Sequence, residues 1–206
     1  MNNLTPSVFI NCPLDEDYKP SFEALVFTIA SSGYRVRCAL DENNTADIRF
    51  NKLCRLILKS QKSIHDLSRV ELGATNNLPR FNMPFEYGLF LGAQRFGGKV
   101  HRAKTALVMV KENYRLPEYM SDVSGSDPAC HHSQPLEVIR IVRNDLHAEP
   151  GGKQLPGTAR IIEVFNNFKA ALPALAEALH IRPDEIDAFR DYRDYLALLS
   201  EFLRAI

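Results

Sequence analysis

KTALVMVK, residues 104–111, places one threonine and five apolar residues between two lysines. A strand with one wet face alternates apolar and polar residues. A run as continuous as this one belongs to a strand covered on both faces, the usual state in a parallel sheet. Three shorter runs upstream read the same way. SIHDLS (63–68) is a brief strand, YRVRCAL (34–40) is strand-like through Tyr34, Val36 and Cys38, and SVFIN (7–11) stops at Cys12-Pro13. Between them the period changes to that of a helix. SFEALVFTIASSG (21–33) spaces Phe22, Leu25, Val26 and Ile29 along one face and stops at Gly33, and DIRFNKLCRLILKSQ (47–61) does so with Ile48, Leu53, Leu56 and Ile57. PRFNMPFEYGLFLGAQRFGG (79–98) is a third helix, ending at Gly97-Gly98. Strand and helix alternate four times with short links, which predicts a parallel sheet flanked by helices, an α/β layer fold.

After about Lys111 the character changes. ENYRLPEYMSDVSGSDPACHHSQP (112–135) is polar and punctuated by prolines and glycine, and it is long for a simple connection. Three helical segments follow, over 136–147, 158–180 and 183–205. The expected organisation is an α/β domain over 1–148 with a C-terminal helical extension over 149–206. In the last segment Tyr195, Leu198, Leu199, Phe202 and Ile206 recur at helical spacing. That stripe needs a covering surface, which is either the rest of the domain, with the extension packing on it as a helical cap, or a second protomer, so a homo-oligomer joined through part of it is also expected.

The 206 residues carry 25 Lys+Arg and 25 Asp+Glu, so there is no electrostatic ground for binding nucleic acid or an anionic membrane. No run is long enough to span a bilayer, and MNNLTPSVFINC lacks the basic and apolar regions of a signal peptide. The four cysteines have no CxxC spacing and read as reduced thiols, so a cytoplasmic protein is expected. No G-x-G-x-x-G follows the first strand and there is no G-x-S-x-G elbow. GGK at 97–99 lacks the strand–loop–helix setting of a phosphate loop and reads as a helix stop. His131 and His132 are adjacent and point apart, with no partner at metal-ligand spacing. They read as surface or substrate-loop residues, and no metal or cofactor is expected.

Open parallel sheets bind ligands beyond the carboxyl ends of their strands, where the strand order reverses. With an order of the 2-1-3-4 kind, the candidate residues are Asn11, Cys12, Pro13 and Asp15 after the first strand, Arg37 after the second, and Asp66 and Ser68 after the third. Asn82 and Glu86 stand at the start of the third helix. Glu86 follows Pro84, a residue suited to a first helical turn, so the helix N-terminus is expected to keep the carboxylate ionised. Two readings stay open: complementation of the helix dipole, or a site acid. Its neighbours Phe85, Leu89, Gly92 and Phe96 form an apolar stripe by spacing, and a structural acid more often sits on a solvated face. Asp66 likewise either caps a turn or reaches a ligand, and His65 beside it reads as a core residue.

The strings VFINCPLDEDY, RLILKSQKSIHDLSRVE and RFNMPFEYGLFLGAQRFG together resemble a bacterial branch of the TIR-like and nucleoside 2-deoxyribosyltransferase-like proteins. The similarity spans roughly the first 110 residues, with a weaker echo in SDVSGSDPACHHSQPLEVIRIVRNDL (121–146). It implies a flavodoxin-like (TIR-like) sheet whose crevice binds a nucleoside or nicotinamide dinucleotide. It further implies that Glu86 acts at the anomeric carbon, that Asp66 holds the sugar or base, and that Asn11, Cys12 and Pro13 line the pocket. The implied activity is hydrolysis of an N-glycosidic bond in NAD or a related nucleotide, with NAD a substrate rather than a cofactor, in an effector of bacterial defence against phage. The Gly-Thr pair usual before Glu-x-Gly is replaced by NMPF, which favours hydrolysis over transfer between nucleosides. The aromatic and serine spacing of animal adaptor TIR domains is also missing. The chemistry suits a single carboxylate, because breaking such a bond develops an oxocarbenium-like sugar. Nicotinamide is already cationic and leaves without protonation, whereas a neutral base wants help. The alternatives are a nucleoside deoxyribosyltransferase or another nucleotide N-glycosidase, and a non-catalytic interaction module.

Overall fold

In the computed structural model, which describes residues 5–41, 46–69, 78, 80–112, 120, 127–149 and 154–206, the run that follows Lys104 is strand β4 (Thr105–Val110). It lies between β3 (Lys62–Asp66) and β5 (Ala129–Cys130) in an all-parallel sheet of order β2-β1-β3-β4-β5. The remaining strands are β1 (Ser7–Asn11) and β2 (Arg35–Arg37). β1 and β3 are buried at every residue, which is why neither alternates in sequence. The chain passes from β1 out to β2, returns past β1 to β3, and continues to β4 and β5. The order therefore reverses between β1 and β3, whose ends are aligned with Asn11 opposite His65. This is an α/β, flavodoxin-like fold with a C-terminal helical extension.

The contacts divide the chain into two units, one of Met1–Pro13 with Arg35–Ser133 and one of Leu14–Tyr34 with Gln134–Ile206. This differs from the expected boundary near 148, because α1 (Lys19–Ser31) and α5 (Pro135–His147) group with the later helices.

In the sheet unit, α2 (Arg49–Lys59) places Leu53, Leu56 and Ile57 in one cluster with Phe9 and Phe90. The following helix, α3 (Asn82–Phe96), adds Met83 and Tyr87 to a second cluster with Leu67, Val108, Val110 and Met120. The stripe expected on α3 is split: Leu89 packs on the cluster of Phe9 and Phe90, while its two aromatic members are turned outward. Phe85 and Phe96 are 54% and 86% exposed, whereas Met83, Tyr87 and Phe90 are buried. Position in the sheet, not apolarity alone, selects the inner face. Gly97 ends α3 with its N–H on the Ala93 carbonyl at 3.0 Å, and a Cβ there would lie 2.3 Å from that oxygen and 2.7 Å from His101 Cβ. A short α4 (Lys99–Arg102) follows.

Lys104, just before β4, is buried and folded back on α2. Its ammonium donates to the carbonyls of Ile57 (2.9 Å), Leu58 (3.3 Å) and Ser60, acceptors that the end of a helix leaves unpaired. Burial lowers its pKa. Lys104→Met keeps the bulk and removes the donor. It should cost about 1–3 kcal/mol of stability, read as a lower denaturant midpoint at unchanged slope. A midpoint equal to that of the parent protein would show that water replaces the ammonium there.

β5 went unread in the sequence. It is two residues long and lies inside the stretch taken for a connection, of which 113–119 and 121–126 fall outside the described residues.

In the other unit, α1 packs with α5, α6 (Thr158–Ala178) and α7 (Tyr192–Arg204). The Phe27 ring sits 5.2 Å from Phe165 and 5.7 Å from Phe168, centroid to centroid. The single helix expected over 183–205 is broken. A 3-10 turn at Pro183–Glu185 is followed by a bend at Asp187, whose Oδ1 accepts the N–H groups of Phe189 and Arg190 at 2.7 and 2.9 Å. Burial opposes ionisation of Asp187, but the Lys19 ammonium at 2.7 Å and those two amides outweigh it and hold the carboxyl at about 2. α7 then starts at Tyr192. Its stripe is already covered inside the unit, with Tyr195, Leu198 and Leu199 buried and the Phe168 ring against both Tyr195 and Phe202. Only Ile206, at the end of that stripe, is 73% exposed, so a second protomer is not needed to cover it. Among the described residues, no helix is long and apolar enough to cross a membrane.

Candidate functional site

The carboxyl ends of β1 and β3 are tied to the start of α3 by one side chain. Asn11, the last residue of β1, is buried, and its amide nitrogen donates to the Met83 carbonyl at 2.8 Å and faces His65 Nδ1 at 2.9 Å. Both amide protons are thereby used. Accepting at Nδ1 puts the imidazole proton of His65 on Nε2, a buried atom with no hydrogen-bond partner among the described residues. His65 stands among the rings of Phe9, Tyr87 and Phe90, and burial lowers its pKa to about 3. It is a neutral core residue, as read from the sequence, and Asn11 positions the first turn of α3.

Asp66, the last residue of β3, is wholly buried. Its Oδ1 accepts the Ser68 N–H at 2.9 Å, and its Oδ2 lies 2.9 Å from His131 Nε2. Ser68 Oγ lies 2.9 Å from the same Nε2. His131 follows β5, where its N–H bonds the Val110 carbonyl at 3.1 Å, so its side chain reaches over the end of β4 to β3. The expected surface or loop role of His131 is thus corrected: it is 1% exposed. Its backbone neighbours His132 and Ser133 are both left-handed, at φ 51° and 56°, and this turn delivers the Ser133 N–H to His131 Nδ1 at 3.1 Å. Nδ1 is therefore an acceptor, and Nε2–H donates to Asp66 and Ser68. In a nucleophilic triad the base uses one nitrogen for the serine and the other for the acid. Here one nitrogen serves both and the second is taken by the backbone, so Ser68 is not activated. Asp66, Ser68 and His131 form a clasp that closes the end of the sheet.

Glu86 stands apart from both groups. It opens onto a pocket of about 180 Å3 lined also by Ala39, Asp47, Arg49, Lys52, Leu53 and Leu56, between α2, α3 and the 3-10 turn Ala39–Asp41 that follows β2. No hydrogen bond or ion pair joins Glu86 to another described residue. Burial pushes its carboxyl up to about 7, while the Arg49 guanidinium in the same pocket pulls it down. This overturns the expectation of a firmly ionised acid. α3 begins at Asn82, so its first turn holds no acidic residue, and Glu86 lies beyond the reach of the free amides. Beside the pocket, at the residues adjacent in sequence to Arg49 and Glu86, the exposed rings of Phe50 and Phe85 pair at 6.3 Å.

The other residues named from sequence fall as follows. Cys12 is a half-buried thiol in no disulfide and Pro13 is buried. Arg37 ends β2 and lies 3.7 Å from Asp41. Asn82 is the exposed first residue of α3. Asp15 belongs to the helical unit, where its Oδ1 accepts the Tyr18 N–H at 3.1 Å ahead of α1. Of all these residues, Glu86 lines the pocket. Arg49, Lys52 and Asp47 were missed because they read as the polar face of an amphipathic helix, which carries no local signal of a cavity. Among the described residues, no group of three or more His, Cys, Asp or Glu is arranged to hold a metal ion. In comparisons with known proteins, no family model and no curated sequence matches the chain.

Proposed function

We propose that this protein hydrolyses the N-glycosidic bond of a nucleotide, NAD or a relative of it, with Glu86 as the acting carboxylate. The observation that carries this reading is an unpaired carboxyl in a pocket, with its ionisation moved to about 7. A group so placed is available near neutral pH as either acid or base. As the carboxylate it stabilises positive charge at C1′ while the C1′–N bond breaks and the bonding electrons leave with the base. Water then adds its oxygen to C1′ and gives up a proton. With a cationic nicotinamide the ring departs neutral without taking that proton, so the overall reaction releases one proton to solvent. The exposed Phe50–Phe85 pair offers a planar base a surface to stack on. The NMPF string that precedes Glu86-Tyr87-Gly88 favours water as the acceptor, and the four free cysteines agree with a reducing compartment.

The experiment is incubation of the purified protein with NAD, a set of nucleotides and their nucleosides, with and without an added acceptor base, followed by chromatography for free base. Free base from at least one of them supports the reading. A new nucleoside built on the acceptor would replace hydrolysis by transfer. No base from any substrate would remove the proposal.

A further inference from the structure

We infer that the edge of the sheet unit formed by the ends of α2 and α3 and by α4 is a contact surface for an anionic lipid bilayer. It uses none of the residues of the Glu86 pocket and does not depend on the proposed reaction.

The zero net charge conceals a segregation. Residues 48–65 carry five Lys or Arg and residues 87–111 five more, and neither segment contains Asp or Glu. The fold brings parts of both to one edge. α2 leads into β3 and α4 into β4, and these strands begin side by side, with Lys62 opposite Thr105. The Lys104 ammonium on the carbonyls of Ile57 and Leu58, and the Gln94 amide on the Lys104 carbonyl, fasten the ends of α2 and α3 to the same point. Four exposed cations stand on this edge: Lys59, Arg95, Lys99 and Arg102. Lys59, Arg95 and Lys99 make no hydrogen bond or ion pair with another described residue, and Arg102 donates to the Gly97 carbonyl alone, at 3.1 Å. Their charge is therefore offered outward. Between them Phe96 and Val100 are 86% and 77% exposed, and Leu58 is 51% exposed. The cations select an anionic partner, and the apolar side chains select one with an apolar interior. A bilayer with acidic headgroups has both, and a cluster of four or more Lys and Arg beside apolar residues is the pattern that binds it. Phe96 and Val100 make little contact with their own protein, so they project. A fluid bilayer takes a projecting side chain without a preformed cavity. A folded partner needs a matching surface of about 800 Å2, more than three apolar side chains supply. Single-stranded nucleic acid stacks its bases on successive aromatic rings, and this edge has one.

The test needs no turnover. The full-length protein is mixed with vesicles of phosphatidylcholine alone, or of phosphatidylcholine and phosphatidylserine in equal parts, and bound protein is recovered by flotation. The sequence contains no tryptophan, so Phe96→Trp adds a single fluorescent reporter at an exposed position. Wild type should float with the phosphatidylserine vesicles and not with phosphatidylcholine alone, and should be released as salt is raised. The Phe96→Trp emission should move to shorter wavelength with the same vesicles. Arg95→Glu combined with Lys99→Glu should lower vesicle binding at least about tenfold, with circular dichroism as the control for folding. No flotation, equal flotation with both vesicles, full binding by the charge-reversed variant, or an unshifted tryptophan would overturn the inference. A tryptophan that responds to a single-stranded oligonucleotide, or to protein concentration alone, and not to vesicles would replace the bilayer by nucleic acid or by a second copy of the chain.

Discussion

Glu86→Gln should stabilise the protein at pH 8 while slowing base release by about a hundredfold or more. The two effects have one origin. In the folded protein the carboxyl titrates near 7, against an ordinary value of 4.5, so the folded state holds this proton over a range where the unfolded chain has released it. Its contribution to stability is complete below about 4.5, falls as pH rises toward 7, and stays at its least favourable value above that. Gln mimics the protonated form at every pH. The variant should therefore melt about 5 °C higher than the parent at pH 8 and at nearly the same temperature at pH 4, as followed by circular dichroism. Activity on a cationic nicotinamide substrate, which needs the carboxylate, should rise through pH 7 in the wild type. Equal melting at both pH values would place Glu86 in an ordinary solvated setting.

His131→Ala should destabilise the protein by about 3–5 kcal/mol, the loss expected when one partner of a buried hydrogen-bonded pair is removed and the other is stranded. Asp66 is completely buried, and His131 supplies the donor to its Oδ2. The variant also releases Ser68 Oγ and the Ser133 amide from the ring. Guanidinium denaturation gives the change directly. A loss below about 0.5 kcal/mol, typical of a surface substitution, would mean that His131 is the loop residue its sequence position suggests. Asp66→Asn, which keeps the shape but weakens the acceptor, should lie between His131→Ala and wild type.

What the sequence disclosed follows the range of the interactions. β4 was legible because burial leaves a continuous apolar run, whereas the strand order was a supposition at the level of sequence, since helical connections allow parallel strands in more than one order. The third helix was legible as a helix but not in its orientation. Its exposed Phe85 and Phe96 are as apolar as its buried Met83 and Phe90, and only the sheet distinguishes them. The environment of Glu86 was misread for a similar reason. Pro84 suggested a first turn, whereas the helix starts two residues earlier and the carboxyl meets α2, a partner more than thirty positions away. His131 meets Asp66 across 65 residues, through a strand too short to show a period. The break before α7 depends on a local side-chain contact of Asp187 with its own following amides, which competes with a favourable helical pattern.

The most direct test of the account is the amount of free base released from the best substrate by wild type and by Glu86→Gln, side by side at pH 8, with melting curves to show that both are folded. The account predicts steady release by wild type and, from the more stable variant, release about a hundredfold or more slower. Equal release by the two would contradict it, because the carboxylate in the pocket would then have no part in breaking the bond.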